Sequence, residues 1–266
     1  MKVEILDDPA DPRVAPYREA RDGQLRGRAG LFLAEGRLVV RRLLEASRFR
    51  AHSLLLTPRA LDDLRDLLAG DDAPPAYVAS AETIRAVVGF KFHRGCLAAA
   101  VRGTPLRAEV LIGPPGARTL LALEELADPD NVGAVFRNAA AFGATGVLLS
   151  PGCADPLYRK AIRVAMGATL SMPFARTDWA DGLEGLRAAG YTLVALTPDR
   201  DAEDIRTVAG RGSPSRRLAL LVGAEGAGLG ASTRAAADRR MRIPMAAGAD
   251  SLNVATACGI ALHRLA

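Results

Sequence analysis

From residue 31 onward, apolar runs of strand length alternate with segments whose apolar residues recur every three or four positions, the pattern of an α/β fold. In the first half this pattern predicts strands over 32–34, 53–57, 77–79 and 96–101. Helices over 37–46, 61–69 and 81–88 separate them, with Leu38, Leu43 and Leu44 turned inward on the first helix. These elements span about 70 residues, enough for a layered unit with its own core. Proline and glycine then dominate in R-G-T-P-L-R and G-P-P-G, which divides the chain into residues 1–105, a linker over 106–117 and a second unit over 118–266. The second unit resumes with the strand T-L-L-A-L-E-E-L from Thr119, a helix over 132–142 and strands over 146–149, 191–196, 218–222 and 241–245. A short helix over 232–237 and a final helix from about Ser251 complete it, with no solenoid period.

Composition narrows the classes. The 266 residues are 49% hydrophobic and 24% charged, which supports a substantial core and excludes a disordered tail or low-complexity scaffold. No apolar stretch reaches the roughly 18 residues of a membrane span. The acidic, proline-broken start M-K-V-E-I-L-D-D-P lacks the basic and apolar runs of a signal peptide, so a cytoplasmic location is expected. Cys96, Cys153 and Cys258 are far apart and, with His52, His93 and His263, form no ligand spacing; neither a disulfide framework nor a metal site is expected.

Charge adds a class of partner. The net charge is +5, and only three of the 35 basic residues are lysine, namely Lys2, Lys91 and Lys160. Residues 12–50 carry ten arginines against four acids, whereas residues 106–266 balance 18 basic groups against 16 acidic ones. The N-terminal excess reads either as a solvated helix face with i,i+4 pairs or as a nucleic-acid surface.

Three constellations in the second half carry chemistry. The first, D-P-D-N-V-G-A-V-F-R-N-A over 128–139, joins a strand end to a helix that Asp130 or Asn131 can cap and in which Gly133 permits close approach. Arg137 stands on that otherwise apolar helix, either as a snorkelling or ion-paired guanidinium or as a phosphate or substrate contact. The second, L-A-L-L-V-G-A-E-G-A-G-L-G over 218–230, sends an apolar strand into a glycine-dense loop before a helix, where backbone N–H groups can hold a nucleotide-like ligand. Gly226, Gly228 and Ala231 satisfy a loose dinucleotide fingerprint with Asp250 roughly 20 residues on, which leaves a nicotinamide-dependent oxidoreductase as one reading. Against it, dinucleotide folds place this turn after their first strand, and only about 35 residues follow Ala231. The third, R-I-P-M-A-A-G-A-D-S-L-N-V-A-T-A over 242–257, ends a strand at proline and opens a helix capped by Asp250 or Ser251, with Asn253 in its first turn. Polar groups thus meet at a helix N-terminus, where anions are favoured.

In combination and in this order, these residues resemble the SpoU (TrmH-like) family of RNA 2′-O-ribose methyltransferases. The family's N-x-x-x-x-x-R-N stands at 131–138, its G-x-E-x-x-G-L at 223–229, and its I-P-M with S-L-N-V at 243–245 and 251–254. F-L-A-E-G-R over 32–37 and H-R-G over 93–95 are similar to the small α/β RNA-binding domain that many members carry in front. Ala255 departs from the serine usual in the family, which removes any hydroxyl contact from that position.

The resemblance implies a C-terminal knotted, SPOUT-type α/β methyltransferase domain, with S-adenosylmethionine bent within the knot, behind a smaller N-terminal α/β RNA-binding domain. It implies that the backbone around Gly223, Ile243 and Leu252 holds the cofactor, with Glu225, Gly228, Met245 and Asn253 beside it. It gives Arg137 the central catalytic role. A guanidinium with a pKa above about 12 is a poor base and a good stabiliser of a developing alkoxide and its neighbouring phosphate. Ser251 and Asn253 then position phosphate and ribose, and Asn131 fixes Arg137 and the loop. Arg37, Arg41, Arg42 and Arg94 are the RNA contacts expected of the N-terminal domain. The implied substrate is a structured RNA, 23S rRNA ahead of tRNA, and the implied assembly is a homodimer with no metal. A non-catalytic RNA-binding or ribosome-assembly factor on the same fold is the alternative, and the intact Asn131, Arg137, Glu225, Ser251 and Asn253 argue against it.

Overall fold

The computed structural model describes residues 2–18, 30–89, 92, 94–116, 118–207, 217–246, 248–249 and 251–265. His93, Asp250 and the arginines at 21, 26 and 28 lie outside the described residues. Contacts divide the chain into two units, Met1–Thr104 with Leu157–Ser171, and Pro105–Pro156 with Met172–Ala266.

In the first unit, β1 (Val3–Ile5), β2 (Leu31–Glu35), α1 (Arg37–Ala46), β3 (Arg50–Leu56), α2 (Pro58–Leu64), β4 (Ala76–Val78), α3 (Ala81–Val88) and β5 (Cys96–Val101) follow in order. The strands form one mixed sheet, β1-β4-β3-β5-β2, in which β5 runs antiparallel to both neighbours. Thr57 and Ser80 start α2 and α3 as N-caps, accepting from the amides of Ala60 at 3.3 Å and Thr83 at 3.0 Å. On α1 the buried stripe is Val39, Val40 and Leu43, and Leu38 is 45% exposed rather than inward. Five residues at about 100° each leave positions 38 and 43 some 140° apart, so one sheet cannot cover both. The unit is not continuous in sequence, because Leu157–Ser171 packs into it rather than with its chain neighbours. The Arg159 guanidinium stands 3.8 Å from the buried Glu35 carboxylate, and the Arg48 amide donates to the Leu170 carbonyl at 3.1 Å.

In the second unit, α4 (Ala108–Ile112), β6 (Arg118–Leu123), α5 (Pro129–Ala141), β7 (Gly146–Leu149), β8 (Phe174–Arg176), α6 (Trp179–Ala188) and β9 (Thr192–Leu196) come first. Next are β10 (Glu203–Asp204), β11 (Arg217–Val222), α7 (Ala231–Ala236), β12 (Arg239–Arg242) and α8 (Val254–Leu265). All seven strands are parallel, in the order β10-β12-β9-β11-β6-β7-β8. The chain runs from β6 outward through β7 and β8, crosses to β9, and only later lays β11 into the place between β9 and β6. Central strands with both faces covered must be apolar throughout, which is why β7 and β11 read as unbroken hydrophobic runs. The segment expected as a linker is part of this unit: Ala108, Leu111 and Ile112 of α4 are buried in a core with Leu148, Leu186 and Leu221. The turn chemistry around it is real, but three apolar residues at helical spacing outweigh it. β12 ends at Arg242, before Pro244, whose missing N–H cannot join the ladder. No helix among the described residues is long and apolar enough to cross a membrane.

Candidate functional site

At the carboxyl ends of β9, β11 and β12 the second unit holds a cavity of about 330 Å³. A parallel α/β sheet places its ligand sites at this end, where the chain leaves the strands and reverses direction across the sheet. The loop after β11 makes one wall. Its Gly228 amide donates back to the Ala224 carbonyl at 2.9 Å, and Gly226 and Gly228 adopt φ of 80° and 67°. Gly223 is required for a steric reason, since a Cβ there would lie 2.2 Å from the Gly228 carbonyl carbon. Gly223, Glu225 and Gly228 line the cavity with Ile243 and Met245 from beyond β12, and with Ser251, Leu252 and Asn253 from before α8. Leu196 at the end of β9 and Thr197 and Pro198 after it also line the cavity, a contribution sequence reasoning did not identify.

Asn253 joins the three constellations. Its Oδ1 accepts from the amides of Ala255 at 3.0 Å and Thr256 at 3.3 Å, so Asn253 itself is the N-cap of α8, not Ser251. Its Nδ2 donates to Asn131 Oδ1 and to Glu225 Oε1, both at 2.9 Å. Asn131 is buried in the first turn of α5. That helix is capped by Asp128, which accepts from the Asp130 amide at 3.0 Å and is followed by Pro129, rather than by Asp130 or Asn131. The D-P pair is the sequence signal for this start, because proline suits the first helical position. α5 and α8 then meet directly, Asn138 Nδ2 donating to the Ala255 carbonyl at 2.6 Å.

Arg137 does not line the cavity. It lies on the exposed side of α5, opposite the buried Val132, Val135, Phe136 and Ala139, and has no hydrogen bond or ion pair among the described residues. The ion pair expected as one reading of Arg137 is thus not formed among the described residues. Ser251 is likewise exposed, with no hydrogen bond among the described residues. Glu124, at the end of β6, is a further site residue missed in the sequence. Its carboxylate accepts from the Gly230 amide and from the Thr233 hydroxyl, both at 2.9 Å, and so fixes the far end of the glycine loop where α7 begins. Trp179 Nε1 donates to the same hydroxyl at 2.8 Å. No group of three or more His, Cys, Asp or Glu among the described residues is placed to share a metal ion.

In the first unit the four arginines singled out from the sequence differ in their contacts. Arg37 pairs with Asp63, and Arg41 is gripped by both Asp66 oxygens at 2.8 and 3.0 Å and by Glu45 at 3.1 Å. Arg42 donates to the Met166 carbonyl. Arg94 is exposed and has no partner among the described residues.

A parallel sheet carrying a glycine-loop cavity at its carboxyl edge defines an α/β protein that binds a small nucleotide-like ligand. Residues 118–263 match the SpoU rRNA Methylase family. An uncharacterized tRNA/rRNA methyltransferase of Mycobacterium tuberculosis is 45% identical over 99% of this chain and 91% of its own. A Burkholderia 23S rRNA (guanosine-2′-O-)-methyltransferase is 35% identical over 69% of this chain and 74% of its own. The crystal structure of an AdoMet-bound rRNA methyltransferase from Sinorhizobium meliloti superposes with a TM-score of 0.82 at 26% identity, over 99% of this chain and 97% of that one. The chain belongs to the SpoU rRNA methylase family, and with it to the RNA methyltransferases.

Proposed function

We propose that the chain transfers the methyl group of S-adenosylmethionine to a ribose 2′-hydroxyl of a structured RNA, 23S rRNA ahead of tRNA, in the cytoplasm and as a homodimer. The observation that carries this reading is the Asn131–Asn253–Glu225 bridge, which ties three separate motifs to the rim of one cavity. The likeness to the Burkholderia enzyme supports the ribose and the 23S rRNA.

The cavity fits the cofactor. Its volume of about 330 Å³ falls in the range of small-ligand sites, its loop has no space for a Cβ at Gly223, and Ile243 and Leu252 present apolar surface. Gly223, Glu225, Gly228, Ile243, Met245 and Leu252 would hold it. When bound, it supplies a methyl group activated by a positively charged sulfonium.

Arg137 is exposed and has no hydrogen bond or ion pair among the described residues, so its guanidinium is assigned to the ribose oxygen as negative charge develops there, and to the adjacent phosphate. Ser251 offers an exposed hydroxyl to the same backbone. Asn253 has both amide hydrogens and its oxygen engaged, and is a positioning residue that orients Asn131 and Glu225. Asn131 in turn anchors the first turn of the helix that carries Arg137. A 2′-hydroxyl acceptor restricts the substrate to RNA. The first unit serves as the RNA-capturing domain, with Arg37, Arg41, Arg42 and Arg94 as its candidate contacts. The late entry of β11 between β6 and β9 supports a knotted C-terminal segment, and the exposed Ile260 supports an isologous interface at α8.

Tritiated methyl transfer from S-adenosylmethionine to unmodified rRNA and tRNA tests the proposal, followed by ribose-methylation maps of cells with and without the chain. Label in a ribose of rRNA is the expected result. RNA binding without transfer would point instead to the non-catalytic factor, and label in a base would overturn the ribose assignment.

A further inference from the structure

The first unit contains a second cavity, of about 550 Å³, which includes two of the candidate RNA contacts, Arg37 and Arg94. It opens between the starts of α1 and α2 and the turn before β5, and Arg37, Arg59, Arg94, Asp63, Leu38 and Phe92 line it. The Asp63 carboxylate is taken by Arg37, whereas Arg59 and Arg94 are exposed and have no hydrogen bond or ion pair among the described residues. The cavity therefore carries uncompensated positive charge. Arg94 is nevertheless placed by packing: Gly36, at φ 102°, lies beneath it, and a Cβ there would stand 3.1 Å from Arg94 Cδ. On the opposite side of the turn, a Cβ at Gly95 would stand 2.9 Å from Thr57 Oγ1. Leu38, which faces away from the core and is 45% exposed, adds apolar surface to the same cavity, whose lining also includes the edge of the buried Phe92.

We propose that this cavity is a subsite for one unpaired nucleotide of the RNA substrate, its base lodged beside Leu38 and Phe92 and its phosphates held by Arg59 and Arg94. The inference rests on the RNA methyltransferase reading and adds to it a place and a form of RNA. Two guanidiniums without partners among the described residues call for anionic oxygens, and the apolar lining of the same cavity calls for a group that carries those oxygens on a flat, poorly hydrated body. A volume of about 550 Å³ admits one nucleotide and no helix. A base enters such a cavity only when it is out of the stack, so bulges and loops are selected over paired stems. Arg59 carried no signal in the sequence, because it lies outside the N-terminal arginine run.

The test titrates the full chain with a short RNA hairpin bearing one bulged 2-aminopurine and with its fully paired counterpart, at two salt concentrations. The wild type should prefer the bulged hairpin and change its fluorescence on binding. An Arg59→Ala/Arg94→Ala variant should lose about tenfold in affinity for it, lose the preference, and show a shallower salt dependence. Its melting temperature and S-adenosylmethionine affinity should remain those of the wild type. Arg65→Ala, which removes an exposed guanidinium already paired with Asp62, is the control and should change RNA affinity by less than about twofold. Equal affinity of the wild type for the two hairpins, or undiminished affinity of the double variant, would overturn the proposal. Displacement of the RNA by an acidic peptide that the double variant no longer binds would reassign the cavity to a protein partner. Failure of the methyltransferase reading shows up separately, as absent methyl transfer by the wild type.

Discussion

The two units use polar groups in opposite ways. In the second, three polar side chains at the cavity rim are engaged with one another, Asn253 satisfying the start of α8 and bridging Asn131 and Glu225, and Glu124 closes the glycine loop, while Ser251 has no hydrogen bond among the described residues. Arg137 is left open to solvent. In the first, cations are abundant, but Arg37, Arg41 and Arg42 are tied to acids or carbonyls, and Arg59 and Arg94 are the open ones beside its cavity. The difference teaches that charge density locates neither site. What marks a group available for a ligand is the absence of an intramolecular partner, and that is decided by folding.

The largest effect is expected where an open group is assigned to the chemistry. Arg137→Ala should lower kcat by about 10²–10³-fold while calorimetry finds S-adenosylmethionine binding intact; normal turnover would remove Arg137 from the mechanism. Next comes Asn253, where two substitutions separate its two duties. Asn253→Asp keeps the helix cap but places a carboxylate against Glu225 and the Asn131 oxygen, and should cost about ten- to a hundredfold in kcat with little change in melting temperature. Asn253→Ala removes the cap as well and should lower the melting temperature by about 2–4 °C. If both variants melt alike and turn over alike, the bridge is structural only. Glu124→Gln leaves one acceptor for two donors and should raise the KM for S-adenosylmethionine about fivefold with kcat little changed. An unaltered KM would show that the loop keeps its shape without that carboxylate. The smallest effect concerns Cys96 and Cys258, whose thiols burial pushes up to about 12. The thiolate is the reactive form, so both should resist alkylation at pH 8 until denaturant is added, as mass spectrometry would show. A folded-state pKa raised from 9.0 also sets the sign of the pH effect: the stability these groups contribute is complete below about pH 9 and is lost as pH rises toward 12.

Much of the fold was legible. Fully buried parallel strands leave unbroken apolar runs, and 146–149 and 218–222 stand within a residue of where the pattern puts them. Punctuation by proline and glycine misled at 106–117, where the short helix α4 is held by the core and not by its local sequence. Segment 157–171 carried no sign that it would pack with the first unit, since a contact between residues more than a hundred positions apart leaves no periodicity. At the site, the glycine loop and Asn253 were visible as motifs, yet the choice of cap was missed at both α5 and α8. Several residues near each start can accept an amide, and which one does depends on where the chain enters the helix. Glu124 was hidden because a glutamate at a strand end looks the same whether or not a loop folds onto it.

By itself the sequence determined the α/β class, the glycine loop and the order of the three motifs, because these depend on local periodicity, backbone freedom at glycine and spacing along the chain. The tertiary structure decided which side chains meet. It brought Asn131, Glu225 and Asn253 to one point, paired Arg41 with Asp66, and left Arg59, Arg94 and Arg137 without partners among the described residues. A hydrogen bond or ion pair forms only within about 3–4 Å. Distances between residues far apart in sequence are set by how the sheets assemble, and a linear pattern does not contain them.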